Sequence, residues 1–421
     1  MKFNTISMVG LGYIGLPTAA VFASRKIKVI GVDVNQKAVD TINRGEIHIV
    51  EPDLDMVVKA AVTEGYLRAT TTPEPADAFL IAVPTPFKSD NHDPDLSYIE
   101  SAAKAIAPVL AKGNLVVLES TSPVGATEQL AEWLAEARPD LSFPQSAGEQ
   151  SDIRVAHCPE RVLPGQVLRE LVQNDRVIGG MTPKCSEAAR ALYGVFLEGE
   201  GVVTNARTAE MAKLTENSFR DVNIAFANEL SVICDQLNIN VWELIALANR
   251  HPRVNILQPG PGVGGHCIAV DPWFIVSRTP EQARLVRTAR EVNDNKPLWV
   301  LDKVNEAVGK FLSANPDKTA KEVTIACFGL AFKPDIDDLR ESPALAIAKK
   351  LITSHPGKVL LVEPNIEELP KALESSTLAS AESALEQADV SVFLVAHKEF
   401  KAIAGRVGSD FFIDAVGLIK K

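Results

Sequence analysis

Cys267 stands directly after a glycine-rich stretch, Gly-Pro-Gly-Val-Gly-Gly-His from residue 260, and Asp271 follows four residues later. Glycines let backbone approach a ligand closely. A thiol delivered by such a loop can attack a carbonyl carbon, and a nearby carboxylate can manage its proton or a water. The alternative for any free cysteine is an inert place in the core. The other end of the chain bears on that choice. Gly10, Gly12 and Gly15, in Gly-Leu-Gly-Tyr13-Ile14-Gly, lie between an apolar stretch at 5–10 and helix-like sequence reaching about Ser24. The first glycine permits a tight turn, the second admits a pyrophosphate and the third allows close helix–strand packing. The helix N-terminus then faces the phosphates. Asp33 closes a second apolar stretch that starts at Lys28. Its carboxylate suits the ribose hydroxyls of NAD and repels the extra phosphate of NADP. A nicotinamide dinucleotide and a nucleophilic cysteine together can oxidise an aldehyde through a thioester.

Other residues are candidates for the same chemistry. Val83-Pro-Thr85-Pro and Glu119-Ser-Thr121-Ser-Pro-Val-Gly follow apolar stretches. Ligands in parallel sheets bind beyond the carboxyl ends of strands, so Thr85 and Thr121 can hydrogen-bond cofactor or substrate; ordinary turn chemistry is the alternative. In Cys158-Pro-Glu160-Arg161, Glu160 is either a base or half of a surface pair, and Cys158 is read as core. Lys213 and Asn217 share a helix face at i, i+4. There a lysine and an amide can donate to a developing oxyanion, unless the lysine is simply solvated. Lys333 and Arg340 place two cations after a late strand, which suits either an anionic ligand or plain surface charge.

These residues need elements to hold them. The chain has 421 residues, 46% of them hydrophobic, enough for several cores. That length implies roughly two to four domains. Apolar runs at Lys28 to Asp33, Ala78 to Val83 and Leu115 to Glu119 alternate with helical sequence, which predicts a parallel sheet within a domain at 1–200. Residues 206–250 are long and helical with few breakers. Phe219, Val222, Phe226, Leu230 and Ile233 form one apolar stripe, with Lys213 and Asn217 on roughly the opposite face. Helical pattern resumes at 281–312, giving a central helical domain at 201–312. After a linker at 313–318, strands are expected at Val323 to Phe328, Val359 to Val362, Val390 to Val395 and Phe411 to Asp414. Residues 76–83 loosely echo residues 388–395. The expected fold is therefore α/β, with two Rossmann-like doubly wound parallel-sheet domains joined by a central helical domain. The last domain, 313–421, has Gly329-Leu-Ala-Phe-Lys-Pro in place of the fingerprint, so its ligand should differ from a second dinucleotide.

Composition excludes several classes. Five cysteines at 158, 185, 234, 267 and 327 never form Cys-x-x-Cys, which argues against a disulfide framework or a zinc site, and no metal is expected. The net charge of −11 disfavours nonspecific nucleic-acid binding. No apolar run reaches the roughly eighteen residues of a membrane span. The N-terminus lacks a signal peptide's long apolar stretch and cleavage site, which points to the cytoplasm.

Together these motifs resemble the UDP-sugar 6-dehydrogenase family over nearly the whole chain. Gly-Leu-Gly-Tyr-Ile-Gly-Leu-Pro, Val-Pro-Thr-Pro, Ser-Thr-Ser-Pro-Val-Gly, Pro-Glu-Arg, Lys213 with Asn217, Gly-Gly-His-Cys-Ile-Ala-Val-Asp and Phe-Lys-Pro…Asp-Leu-Arg-Glu-Ser-Pro occur in the family's order. The resemblance implies NAD contacts at Gly10, Gly12, Tyr13, Ile14, Gly15, Asp33, Thr85 and Thr121, and two NAD consumed per sugar. It implies that Cys267 attacks a C6 aldehyde, forming a thiohemiacetal and then a thioester. Lys213 and Asn217 would stabilise oxyanions. Asp271 and Glu160 would handle protons and the hydrolytic water, with Thr121 near the reacting centre. Glu160, Arg161, Lys213, Asn217, His266, Lys333 and Arg340 would contact the sugar nucleotide. Arg253 would reach the site of a second subunit in a homodimer. The chain departs from UDP-glucose dehydrogenases at Ala269-Val270-Asp271, where they carry Pro-Lys-Asp. It also has Pro164 where they tend to have a second glutamate. Gly-Gly-His-Cys-Ile-x-Val-Asp-Pro is similar instead to the branch acting on UDP-N-acetylhexosamines. With Ala269 and Trp273-Phe274-Ile275-Val276, it implies UDP-N-acetyl-D-mannosamine as substrate and a uronic acid nucleotide for surface polysaccharide, of the enterobacterial common antigen kind, as product.

UDP-N-acetylglucosamine and UDP-glucose remain alternative substrates. A β-hydroxyacid dehydrogenase is the nearest rival, but it needs neither the cysteine loop nor a third domain. A non-catalytic nucleotide-binding regulator is the rival of another class.

Overall fold

The computed structural model describes residues 3–88, 92–163, 165–265, 267–373, 376–407 and 411–419. The chain forms two compact units, residues 1–216 with 273–280 and residues 217–272 with 281–421. His266 lies outside the described residues.

The first unit is built on eight strands: β1 (Thr5–Val9), β2 (Lys28–Val32), β3 (Leu67–Thr70), β4 (Ala78–Ile81), β5 (Leu115–Leu118), β6 (Arg154–His157), β7 (Arg176–Gly180) and β8 (Gly201–Asn205). Their order is β3-β2-β1-β4-β5-β6-β7-β8. The strands are parallel except at β6 with β7, which is antiparallel and departs from the wholly parallel sheet expected. Alternate residues feed opposite faces. Ile6, Met8, Leu80 and Val117 enter one core, while Val9, Phe79, Ile81 and Val116 enter the other. Helices cover both faces, so the strands read as continuous apolar runs. The direction of strand order reverses between β1 and β4, where open α/β sheets bind ligands. The sheet takes in Gly201–Asn205, a strand inside the span assigned to the central helices.

The second unit has five parallel strands: β9 (Ile325–Phe328), β10 (Val359–Val362), β11 (Thr377–Leu378), β12 (Val390–Phe393) and β13 (Phe412–Asp414). Their order, β11-β10-β9-β12-β13, repeats that of β3-β2-β1-β4-β5. The helix Arg284–Ala314 runs into the span read as a linker. Its Val300, Val304 and Phe311 pack over Ile325 and Cys327.

The helix Ala206–Gln236 faces the other way from its pattern. Phe219, Phe226 and Ile233, half of the apolar stripe and more, are exposed, while Asn217, Asp221, Asn228 and Ser231 are buried. Asp221, Asn228 and Ser231 meet polar partners on Arg284–Ala314. Asn228 Nδ2 donates to Asn293 at 2.8 Å, and Lys296 Nζ donates to Ser231 at 2.5 Å.

Candidate active site

In the first unit the turn after β1 is shaped by its glycines. Gly10 has φ +91°, and a Cβ there would lie 2.4 Å from the Ala82 carbonyl oxygen. A Cβ on Gly15 would lie 1.8 Å from the Gly10 carbonyl oxygen, whereas one on Gly12 would meet nothing within 4 Å. So Gly12 fronts open space at the start of the helix Gly15–Ser24, where a pyrophosphate belongs. Tyr13 is exposed and Ile14 half-buried at the helix start. Asp33 directly follows β2, accepting from Leu11 N and Asn35 N at 2.9 Å each. The Thr85 hydroxyl is buried with no hydrogen-bond partner among the described residues. Buried hydroxyls are normally satisfied, so this one fits a ligand-facing position. The donors, the open glycine and the acid suit a dinucleotide.

The loop bearing Thr121 is tied to its neighbours. Ser120 Oγ donates to Val83 O at 2.7 Å, joining the Thr85 and Thr121 loops. Glu210 accepts from Gly125 N at 2.7 Å and from Thr127 N at 2.8 Å. Arg161 pairs with Glu216 at 2.7 Å. Glu210 and Glu216 thus pin the helix on either side of half-buried Lys213. Sequence reasoning missed Glu210, because a glutamate in an early helical turn reads as solvated.

Glu160 does not stand as a free base or pair with Arg161. Its carboxylate takes Arg176 at 2.5 Å and the Arg161 backbone N–H at 2.6 Å. Arg176 also approaches Glu119 at 3.4 Å and Cys158 at 3.1 Å. Burial and the neighbouring Glu160 push the Glu119 carboxyl up to about 7. Burial pushes the Cys158 thiol up to about 12, which fits its reading as core.

In the second unit Cys267 is the exposed thiol; the other four cysteines are buried. Its loop lies on the turn between Phe332 and Pro343. Gly265 N donates to Arg340 O at 3.2 Å. A Cβ on Gly264 would fall 2.5 Å from Glu341 O and 2.8 Å from Phe332 Cβ. Those glycines therefore fit the loop against the Phe-Lys-Pro and Leu-Arg-Glu-Ser-Pro motifs. Asp271 N donates to Cys267 O at 2.9 Å, opening the helix Asp271–Arg278. Asn217 Nδ2 donates to the buried Asp271 carboxylate at 2.5 Å. That brings the predicted amide and acid together one turn beyond the thiol. Lys333 and Arg340 are exposed, and Arg340 grips Asp338 at 2.6 Å and 3.0 Å. Arg253 is exposed on the turn that follows the helix Val241–Ala248.

The two sheets share a further device. Leu330 N, after β9, donates to Glu363 at 2.8 Å, as Leu11 N donates to Asp33 after β1. Glu363 is buried, and its other partners include His397 at 3.0 Å. Burial opposes its charge, but His397 and the backbone donors bring its carboxyl down to about 2. The acid that could read a ribose is consumed internally here, in keeping with a different ligand.

Residues 4–197, 207–295 and 326–421 match, in turn, the NAD binding, central and UDP binding domains of the UDP-glucose/GDP-mannose dehydrogenase family. The chain is 72% identical to the UDP-N-acetyl-D-mannosamine dehydrogenase of Yersinia pestis, with 99% of this chain and 100% of that one covered. It is 69% identical to the NDP-N-acetyl-D-galactosaminuronic acid dehydrogenase of Ralstonia nicotianae, covering 99% and 97%. Its fold is similar to that of a UDP-D-ManNAc dehydrogenase from Pyrococcus horikoshii, with TM-score 0.88 and 40% identity over 99% of this chain and 96% of that one.

Proposed function

The chain belongs to the UDP-glucose/GDP-mannose dehydrogenase family, and from that premise we propose that it oxidises the C6 alcohol of UDP-N-acetyl-D-mannosamine to the carboxylate. The observation that carries the reading is full-length identity of 72% to an enzyme of that name. NAD, held by Gly10, Gly12, Tyr13, Ile14, Gly15, Asp33, Thr85 and Thr121, supplies a hydride acceptor for each of two oxidations. Cys267 Sγ adds to the C6 aldehyde and holds C6 as a thiohemiacetal, then as a thioester after the second oxidation. Water breaks the C–S bond, which returns the thiol and releases the carboxylate. Lys213 and Asn217, one turn apart on their helix, donate to the oxygen on which negative charge develops. Asp271 takes the proton of the hydrolytic water. Glu160, already engaged by Arg176, orients Arg161 and the sugar. Arg161, His266, Lys333 and Arg340 bind the anionic nucleotide sugar. The NAD, dimerisation and UDP-sugar roles fall to 1–200, 201–312 and 313–421, and the product supplies surface polysaccharide.

A second reading has a specific support. The Ralstonia relative named for a galactosaminuronic acid is 69% identical, so the sugar's configuration at C2 and C4 decides between them. NADH formed per sugar is measured with UDP-N-acetyl-D-mannosamine, UDP-N-acetyl-D-galactosamine, UDP-N-acetylglucosamine and UDP-glucose. Two NADH per sugar and the highest kcat/KM with the first are expected. Faster turnover of the galactosamine nucleotide moves the assignment to the second reading. Faster turnover of UDP-glucose than of any N-acetylated sugar refutes both.

A further inference from the structure

A buried polar network lies beside the Cys267 loop. Arg290 donates to the Asp221 carboxylate at 2.6 Å, with both side chains fully buried. Asn293 Nδ2 donates to the same oxygen at 2.8 Å, and its Oδ1 accepts from Asn228 Nδ2 at 2.8 Å. Asn228 then turns its own carbonyl oxygen to Gly260 N at 2.8 Å. At the far end of the loop, Arg290 reaches Ile268 O at 3.5 Å. One connected set of side chains therefore meets the backbone at Gly260 and again next to Cys267.

Two further features meet at the same place. Pro297 sits inside the helix Arg284–Ala314. A proline has no N–H, so the carbonyl of residue 293 loses its helical donor. Gly262, with φ +145°, packs there: a Cβ on it would fall 3.3 Å from Asn293 O and 3.2 Å from Pro297 Cγ. The helix has a gap in its ladder, and the loop has a residue small enough to lie against it.

We propose that Asp221, Arg290, Asn293 and Asn228 are positioning residues that hold the Cys267 loop at both ends and so fix the thiol for the aldehyde-to-acid half of the reaction. The inference rests on the reading of Cys267 as nucleophile. Asn228 is the closing link, because it alone among the four bonds Gly260 N through a short, direct contact. Asp221 and Arg290 act one step back, aiming Asn293 and through it the Asn228 amide. A shift of about 1 Å at a reacting group can cost a hundredfold in rate, so such a frame matters for chemistry as well as for stability.

The test uses the full chain carrying Asn228→Ala, with Cys267→Ala alongside. Hydrogen exchange is followed by mass spectrometry, and single-turnover kinetics separate the first NADH from the second. In Asn228→Ala, amides at 256–270 should exchange about tenfold faster or more, with strands of the first sheet unchanged. The second NADH should slow about tenfold or more, while the first stays within about twofold. A merely structural role would lower the melting temperature without splitting the two steps. Should Asn228→Ala not fold, Asn293→Ala carries the test under the same criteria, since it leaves Asn228 in place and removes the group that aims it. Unchanged loop exchange, or equal slowing of both steps, overturns the proposal. Two NADH per sugar from Cys267→Ala would instead sink the nucleophile reading, and the exchange result would still report on the loop's anchoring.

Discussion

Asp33 is proposed to set the cofactor preference through a carboxylate that backbone N–H groups hold in place. Leu11 N and Asn35 N each donate to it at 2.9 Å, which fixes the group and leaves lone pairs for a ribose. The same fixed charge meets the extra phosphate of NADP without freedom to turn away. Asp33→Ser should therefore narrow the preference for NAD by about tenfold or more, equivalent to ~1.4 kcal/mol. The check is kcat/KM with each cofactor at saturating sugar nucleotide. Equal use of both cofactors by the unaltered chain would remove Asp33 from this role. Single residues were also where sequence reading stopped. Cys267, Asp33 and the fingerprint glycines can be nominated from sequence because the chemistry proposed for them depends on residue type and local spacing. The capture of Glu160 by Arg176 cannot, because the partner lies sixteen residues away and only the antiparallel turn of β7 onto β6 brings it back.

At the scale of elements, the polar seam between Ala206–Gln236 and Arg284–Ala314 defines the second unit's helices. Periodicity announced two faces on the first helix but not which face its own chain covers. Polar residues on a helix usually meet water, so Asp221, Asn228 and Arg290 gave no sign of burial. The strands at 325–328, 359–362 and 390–393 were legible as apolar runs, whereas Arg154–His157 and Arg176–Gly180 carry polar or glycine residues that hide them. The seam makes a stability prediction. Removing one member of a buried ion pair leaves the other charge uncompensated, so Asp221→Ala should cost about 3–5 kcal/mol. Asp221→Leu with Arg290→Met should recover most of that loss, because apolar replacements of similar size pack without a charge. Denaturant unfolding of the three proteins tests it; a double variant as weak as the single one contradicts it. Loop positioning should not return with stability, since the contacts to Asn293 and Ile268 are gone.

The strand β6 contributes a second prediction at this scale. Burial pushes the His157 ring down to about 3, from an ordinary value of 6.5. In the unfolded chain the ring takes a proton below about 6.5; in the folded chain it stays neutral until about 3. Stability from this residue is thus full above 6.5 and is lost as pH falls toward 3. Between pH 7 and pH 5 the loss should be about 2 kcal/mol. His157→Leu should flatten that part of the stability curve in denaturant unfolding at the two pH values. A parallel curve for the variant would show that the ring is not buried neutral.

For the whole molecule, the apolar stripe asks what covers it. Phe219 is 69% exposed and Phe226 51% exposed, on a helix whose polar side is already buried. Val202 and Val203 on β8 are exposed as well. Exposed apolar side chains recurring along one helix face mark an association site, and we propose a second copy of the chain as the partner. Arg253 gives that expectation a functional readout. It is exposed and lies shortly before the glycine-rich loop, and a guanidinium can hold a phosphate with two parallel bonds. If it serves the partner's sugar nucleotide, subunits carrying Arg253→Ala and Cys267→Ala, each inactive or nearly so, should complement each other. In a mixed dimer one site has an intact thiol from one chain and an intact arginine from the other. Random exchange makes half the dimers mixed, each with one working site, so about a quarter of the parent activity per chain should return. If Arg253 acts within its own chain, each site of the mixed dimer lacks one group and activity stays near zero. Native mass spectrometry confirms that subunits have exchanged, and no recovery after confirmed exchange rejects the shared site.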